Sequence, residues 1–107
     1  PTVDAFESAL ISLQPLADHH DRMLAEHYKA PNHTLTATQI ANAVGYADFH
    51  PVNLHYGKLA VLICDKLGVS PSFGVMLDSA EPNDSNGHLE LVMRTELVSA
   101  IRNLGWY

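Results

Sequence analysis

The sequence predicts a single α+β domain over residues 1–107, mostly helical, with a β-hairpin set between a long helix and a final one. Three observations predict it. Apolar residues recur at helical spacing over most of the first 67 positions, and after Pro71 they alternate instead. Helix start and stop signals (a capping box, three prolines and two glycines) divide the helical stretch into separate elements.

From Val3 to Leu13, Phe6, Ala9, Leu10 and Leu13 share one helical face, and Pro15 ends the pattern. A second helix is expected from Leu16 to Tyr28, N-capped near Asp18, with Leu16, His20, Met23, Leu24, His27 and Tyr28 in its pattern. Lys29–His33 is expected as a loop, because Pro31 cannot continue a helix and biases Ala30 towards extended backbone. Thr36-Ala37-Thr38-Gln39 is a capping box, a hydroxyl followed three residues later by an amide side chain. It predicts a short helix from Ala37 to Val44, with Ile40, Ala43 and Val44 inward and Gly45 as the left-handed stop.

After the connector Tyr46–His50, Pro51 at the first helical position predicts a long helix to Leu67, closed by Gly68. Its core stripe is Val52, Tyr56, Leu59, Ile63 and Leu67. Phe73, Val75 and Leu77 then read as one face of a strand, and Leu89, Leu91 and Met93 as one face of a second. The polar run Glu81–Gly87 suits the turn between them, and His88, Asp78, Glu81 and Asp84 read as solvated residues. A last helix is expected from an N-cap at Thr95, carrying Leu97, Val98, Ile101 and Leu104 inward. Gly105 ends it, and Trp106-Tyr107 is expected to pack back as an aromatic lid. A short helix, a tight turn, a longer helix and then a hairpin is the order of a winged helix-turn-helix.

Composition narrows the function. The chain has 107 residues, six Lys and Arg against twelve Asp and Glu, and a formal net charge of −6 with neutral histidine. Phosphate neutralisation supplies much of a DNA-binding domain's affinity, so a DNA role must work against this overall field. Histidine protonation below about pH 6.5 relieves it in part. No run of about 18 apolar residues spans a membrane. The first residues, Pro1–Phe6, lack the basic and apolar regions of a signal peptide. A cytoplasmic place is expected. The one cysteine, Cys64, lies in the apolar run Leu62-Ile63-Cys64 and reads as a small buried hydrophobe.

No nucleophile–base pair, phosphate loop or paired-carboxylate motif is present, so no catalysis and no cofactor are expected. His19, His20, Asp21 and His27 raise metal binding. His20 and His27 lie on roughly one helical face, His19 is offset, and no third convergent ligand or zinc motif accompanies them. The expectation is no metal.

The polar residues with binding potential form two groups. His50, Asn53, His55 and Lys58 cluster on the first turns of the long helix, where a recognition helix would meet base edges and phosphates. Lys29, Asn32, His33 and Thr36 gather before a helix N-terminus, whose free amides favour an anion such as a DNA phosphate. Ordinary solvated helix ends and plain capping account for the same residues without DNA. Gly57, inside the long helix, costs about 1 kcal/mol against Ala. It reads either as close approach of a partner or as tight packing on the Thr36–Val44 helix.

His33–Tyr46, followed by Val52-Asn53-Leu54-His55-Tyr56-Gly57-Lys58-Leu59, resembles an N-terminal module found ahead of HNH nuclease domains in bacterial restriction-type proteins. Ile101–Trp106 resembles the tail of that module. The resemblance implies a DNA-binding or DNA-modification-sensing accessory domain, with double-stranded DNA and a nuclease as partners. It implies no nuclease centre here, because Asn32-His33 and His50, Asn53 and His55 lack the ββα-metal surroundings that such a centre needs. The alternative is a protein–protein interaction module, a homodimer or a regulatory subunit, whose acidic surface suits a basic partner.

Overall fold

The computed structural model describes residues 1–80 and 89–107. Its elements are α1 (Val3–Leu13), α2 (Asp18–Lys29), β1 (Thr34–Thr36), α3 (Ala37–Val44), α4 (His50–Leu67), β2 (Leu77–Ala80), β3 (Glu90–Met93) and α5 (Thr95–Leu104). Among the described residues the fold is α+β, five helices and one antiparallel sheet of three strands.

The helix signals act locally as the sequence implies. The capping box forms at α3: Thr36 Oγ1 accepts from the Gln39 amide at 3.1 Å, and Gln39 Oε1 accepts from the Thr36 amide at 2.8 Å. Gly45, Gly68 and Gly105 all end helices in the left-handed conformation. Helix α2 runs from Asp18, with Ala17 rather than Asp18 as its N-cap, and α4 begins at His50, one residue before Pro51.

The β structure departs further from expectation. The sheet order is β1-β3-β2, so the predicted two-stranded hairpin is joined by Thr34–Thr36, a strand too short to show a period. Phe73–Val75 is a 3₁₀ turn and not the start of a strand. Ser72 Oγ accepts from the Gly74 amide at 3.2 Å, and the Arg94 guanidinium donates to the Gly74 carbonyl at 3.1 Å. These local bonds outcompete the apolar alternation. The pairing of β2 with β3 carries a bulge between Leu77 and Ser79. The expected turn Glu81–Gly87, with His88, lies outside the described residues.

Helix α5 is capped across the fold. Thr95 is its first residue and not its N-cap, and the Arg94 side chain makes no capping bond. Asp78 Oδ2, set at the bulge, accepts from the Thr95 amide at 3.1 Å and from its hydroxyl at 2.9 Å.

The core is continuous. Helix α1 packs on α4 and α5, while α2 packs on α3 and α4. Phe6, Leu10, Met23, Leu24, Ile40, Tyr56, Leu59, Ile63, Leu97 and Ile101 are fully buried within it. Cys64 is buried as a small hydrophobe. Trp106 and Tyr107 pack on the core, with the Tyr107 hydroxyl donating to the Asp21 carboxylate. Among the described residues no helix is long and apolar enough to cross a membrane.

Candidate functional site

Two features stand out beyond the core: the outward face of α4 and a histidine cluster between α2 and α4. The buried face of α4 is Val52, Tyr56, Leu59, Ala60, Ile63 and Cys64. Successive residues step about 100° around a helix, so Leu54, Lys58 and Val61 lie opposite that face, His50 and Gly57 flank it, and Asn53 falls towards its edge. All six are exposed or, for Gly57, half-buried. Leu54 and Val61 are 55% and 49% exposed.

His50 is tied at the helix start. Asp48 Oδ1 accepts from the His50 amide at 2.8 Å and lies 2.9 Å from Nδ1 of its ring. These bonds hold the Asp48 carboxyl below the usual carboxylate range. The ring of Phe49 stacks on His50 with centroids 4.3 Å apart.

Gly57 does not pack on α3. Among the described residues, a methyl added there would meet only the Phe73 ring, at 4.0 Å, which is ordinary contact. Packing among the described residues therefore does not require the glycine.

His55 does not share this face. Two residues from Asn53, it points to the other flank of α4 and meets His19 and His20 of α2. Ring centroids are 4.3 Å apart for His19 and His55, 4.2 Å for His19 and His20, and 6.4 Å for His20 and His55. The ring of Tyr46 lies 6.0 Å from His55. One nitrogen from each histidine can be chosen so that all three lie within 4.8 Å of one another. Nε2 of His20 and Nδ1 of His55 are buried without a hydrogen-bond partner. Burial, then the neighbouring histidines and Lys58, lower the affinity of His20 for a proton; burial, His19 and Lys58 do the same for His55.

His27, paired with His20 from sequence, is turned into the core. Its Nε2 lies 2.8 Å from the Leu91 carbonyl and its Nδ1 2.8 Å from the Tyr56 hydroxyl. A carbonyl can only accept, so Nε2 carries the proton and Nδ1 accepts from Tyr56. Both of its nitrogens are occupied, and it is no ligand. The third convergent histidine comes from α4, 35 positions beyond His20 in the chain, a separation at which no spacing motif could reveal it.

The second predicted group sits at the C-terminal end of α2. Lys29 and Asn32 are exposed, and His33 Nδ1 is bonded to the Tyr28 carbonyl. Asn32 and His33 both adopt left-handed backbone, with φ of 55° and 53°. Thr36 Oγ1 is engaged in the α3 cap. Lys29 and His20 are nine residues apart on α2, about 13 Å along its axis, so this group and the His55 cluster occupy opposite ends of that helix. No family model, curated protein or solved structure matches the chain.

Proposed function

We propose that the chain is a winged-helix-like DNA-binding or DNA-modification-sensing module, without catalysis of its own, that contacts the duplex with the outward face of α4. The single observation that carries this is Gly57 itself, half-buried beside the exposed Leu54, Lys58 and Val61 of α4. A glycine in mid-helix costs about 1 kcal/mol against alanine, and nothing among the described residues requires it. Close approach of an external backbone does require it. His50, Asn53 and Lys58 surround Gly57 with groups able to bond base edges and phosphates.

Topology supports the same reading. A helix, a short strand, a helix pair and then two strands, the second pairing back on the first, is the order expected of a winged helix-turn-helix. The resemblance of His33–Tyr46 and Val52–Leu59 to the module ahead of HNH nucleases points the same way. Lys29, Asn32 and His33 would lie against the sugar–phosphate backbone, and a nuclease would be the partner. A cytoplasmic place follows from that role.

A second reading is favoured by one observation. Leu54, Val61 and Leu62 of α4 are exposed together, and the net charge of −6 repels phosphates. Both suit a protein partner, a second copy or a basic subunit.

Fluorescence-anisotropy titration with methylated and unmethylated duplexes, at low salt and about pH 6.5, separates the two. Saturable binding that weakens steeply with salt and is reduced by Asn53→Ala and Lys58→Ala supports the DNA module. No binding at tens of micromolar, with a mass that rises with concentration in sedimentation, supports the protein-interaction reading.

A further inference from the structure

His19 and His20 stand in the first turn of α2, and His55 stands in the second turn of α4. Two separate helices thus deliver three imidazoles to one place, with a nitrogen from each within 4.8 Å of the others. His20 is 5% exposed, and its Nε2 has no hydrogen-bond partner; Nδ1 of His55 is buried in the same condition. A buried ring nitrogen left unpaired is unfavourable, and this cluster of three rings holds two of them. A bound ion would satisfy both.

We propose that His19, His20 and His55 form a binding site for a late first-row divalent ion of the Zn²⁺ or Ni²⁺ class, bridging α2 and α4. Imidazole nitrogen suits these ions and not Mg²⁺ or Ca²⁺, which take oxygen ligands. Nitrogens on a tetrahedral zinc, with bonds of about 2.0–2.1 Å, lie roughly 3.4 Å apart, so the three rings must close slightly. His19 and His55 are half-buried and have room to rotate. Their partial exposure leaves the fourth position to water.

The surrounding charges are mixed. Lys58, one turn along α4 from His55, and the positive end of α2 oppose a cation. Asp18 and Asp21 in the first turn of α2 offset them, although the Asp21 carboxylate accepts a bond from Tyr107. Affinity therefore comes from the three nitrogen bonds and not from the local field. The site is independent of the DNA proposal, because His55 lies off the α4 face proposed to meet the duplex.

The test is calorimetric titration of the full, untagged chain with Zn²⁺ and Ni²⁺, with Mg²⁺ as control, alongside histidine ¹⁵N NMR. One ion per chain is expected, with ring resonances of His19, His20 and His55 shifting and those of His27 unmoved. His19→Ala and His55→Ala should each weaken binding at least about tenfold, and His50→Ala should leave it unchanged. His19 lies at the edge of the fold, so its variant keeps the test valid if the His55 variant unfolds. Binding that survives His19→Ala unchanged, ring shifts confined to other histidines, or no binding beyond that of the His19→Ala/His55→Ala double variant would each overturn the proposal.

Discussion

The Tyr56 hydroxyl bonds Nδ1 of His27 at 2.8 Å in the middle of the core, while the opposite nitrogen of the same ring bonds the Leu91 carbonyl. One imidazole thereby ties α2, α4 and β3 together, and both it and Tyr56 are fully buried. Burial raises the Tyr56 hydroxyl well above its ordinary pKa, so it serves as a neutral donor.

Removing that donor isolates a buried acceptor. Tyr56→Phe leaves His27 Nδ1 unpaired, and the expected cost is about 1–3 kcal/mol in urea unfolding. His27→Ala costs more, because it removes the bonds to both Tyr56 and Leu91 and opens a cavity. A Tyr56→Phe variant as stable as the parent would show that the bond contributes nothing net.

The same histidine makes stability depend on pH. Burial holds His27 below the ordinary histidine pKa, and His20 likewise. Above about pH 6.5 both are neutral in the folded and unfolded chains, and their contribution is flat. As pH falls below that value the unfolded chain takes up protons that the folded chain resists, so stability is lost on acidification. Urea midpoints measured between about pH 5 and 7.5 should fall on the acid side, before most carboxylates titrate. A midpoint that rises on acidification would contradict this assignment.

Asp78 caps α5 from another element. Asp78→Ala should cost about 1 kcal/mol, the usual loss for a helix cap, with Asp78→Asn retaining part of it. Proteolysis or hydrogen exchange should show the loss concentrated at the first turn of α5 around Thr95. Uniform loosening of the whole domain would point to a role for Asp78 other than capping.

Gly57→Ala separates stability from function. Among the described residues the added methyl meets only Phe73, at ordinary contact distance, so unfolding should become harder by about 0.5–1 kcal/mol. Duplex binding should weaken in the same variant if a phosphodiester backbone approaches α4 there. A variant both more stable and equally able to bind would remove Gly57 from the contact face.

Local chemistry made most helices legible. The Thr36–Gln39 box, Gly45, Gly68 and the stripe from Val52 to Ile63 act over three or four residues, and the fold obeys them. Strand β1 was not legible, because three residues between a turn and a capping box carry no period, and pairing with β3 alone makes them a strand. Phe73–Val75 misled in the opposite sense: the alternation was present, but the Ser72 hydroxyl and Arg94 closed a turn over it.

The sites divide along the same line. By itself the sequence determined the helices that carry His50, Asn53 and Lys58, since helical period and caps are nearest-neighbour physics. Only the tertiary structure decided which histidines meet. It turned His27 inward to Tyr56 and Leu91 and brought His55 across to His19 and His20. The reason is that the packing of α2 on α4 depends on the shape of the whole core, and residues 35 positions apart leave no mark of their contact in a single chain.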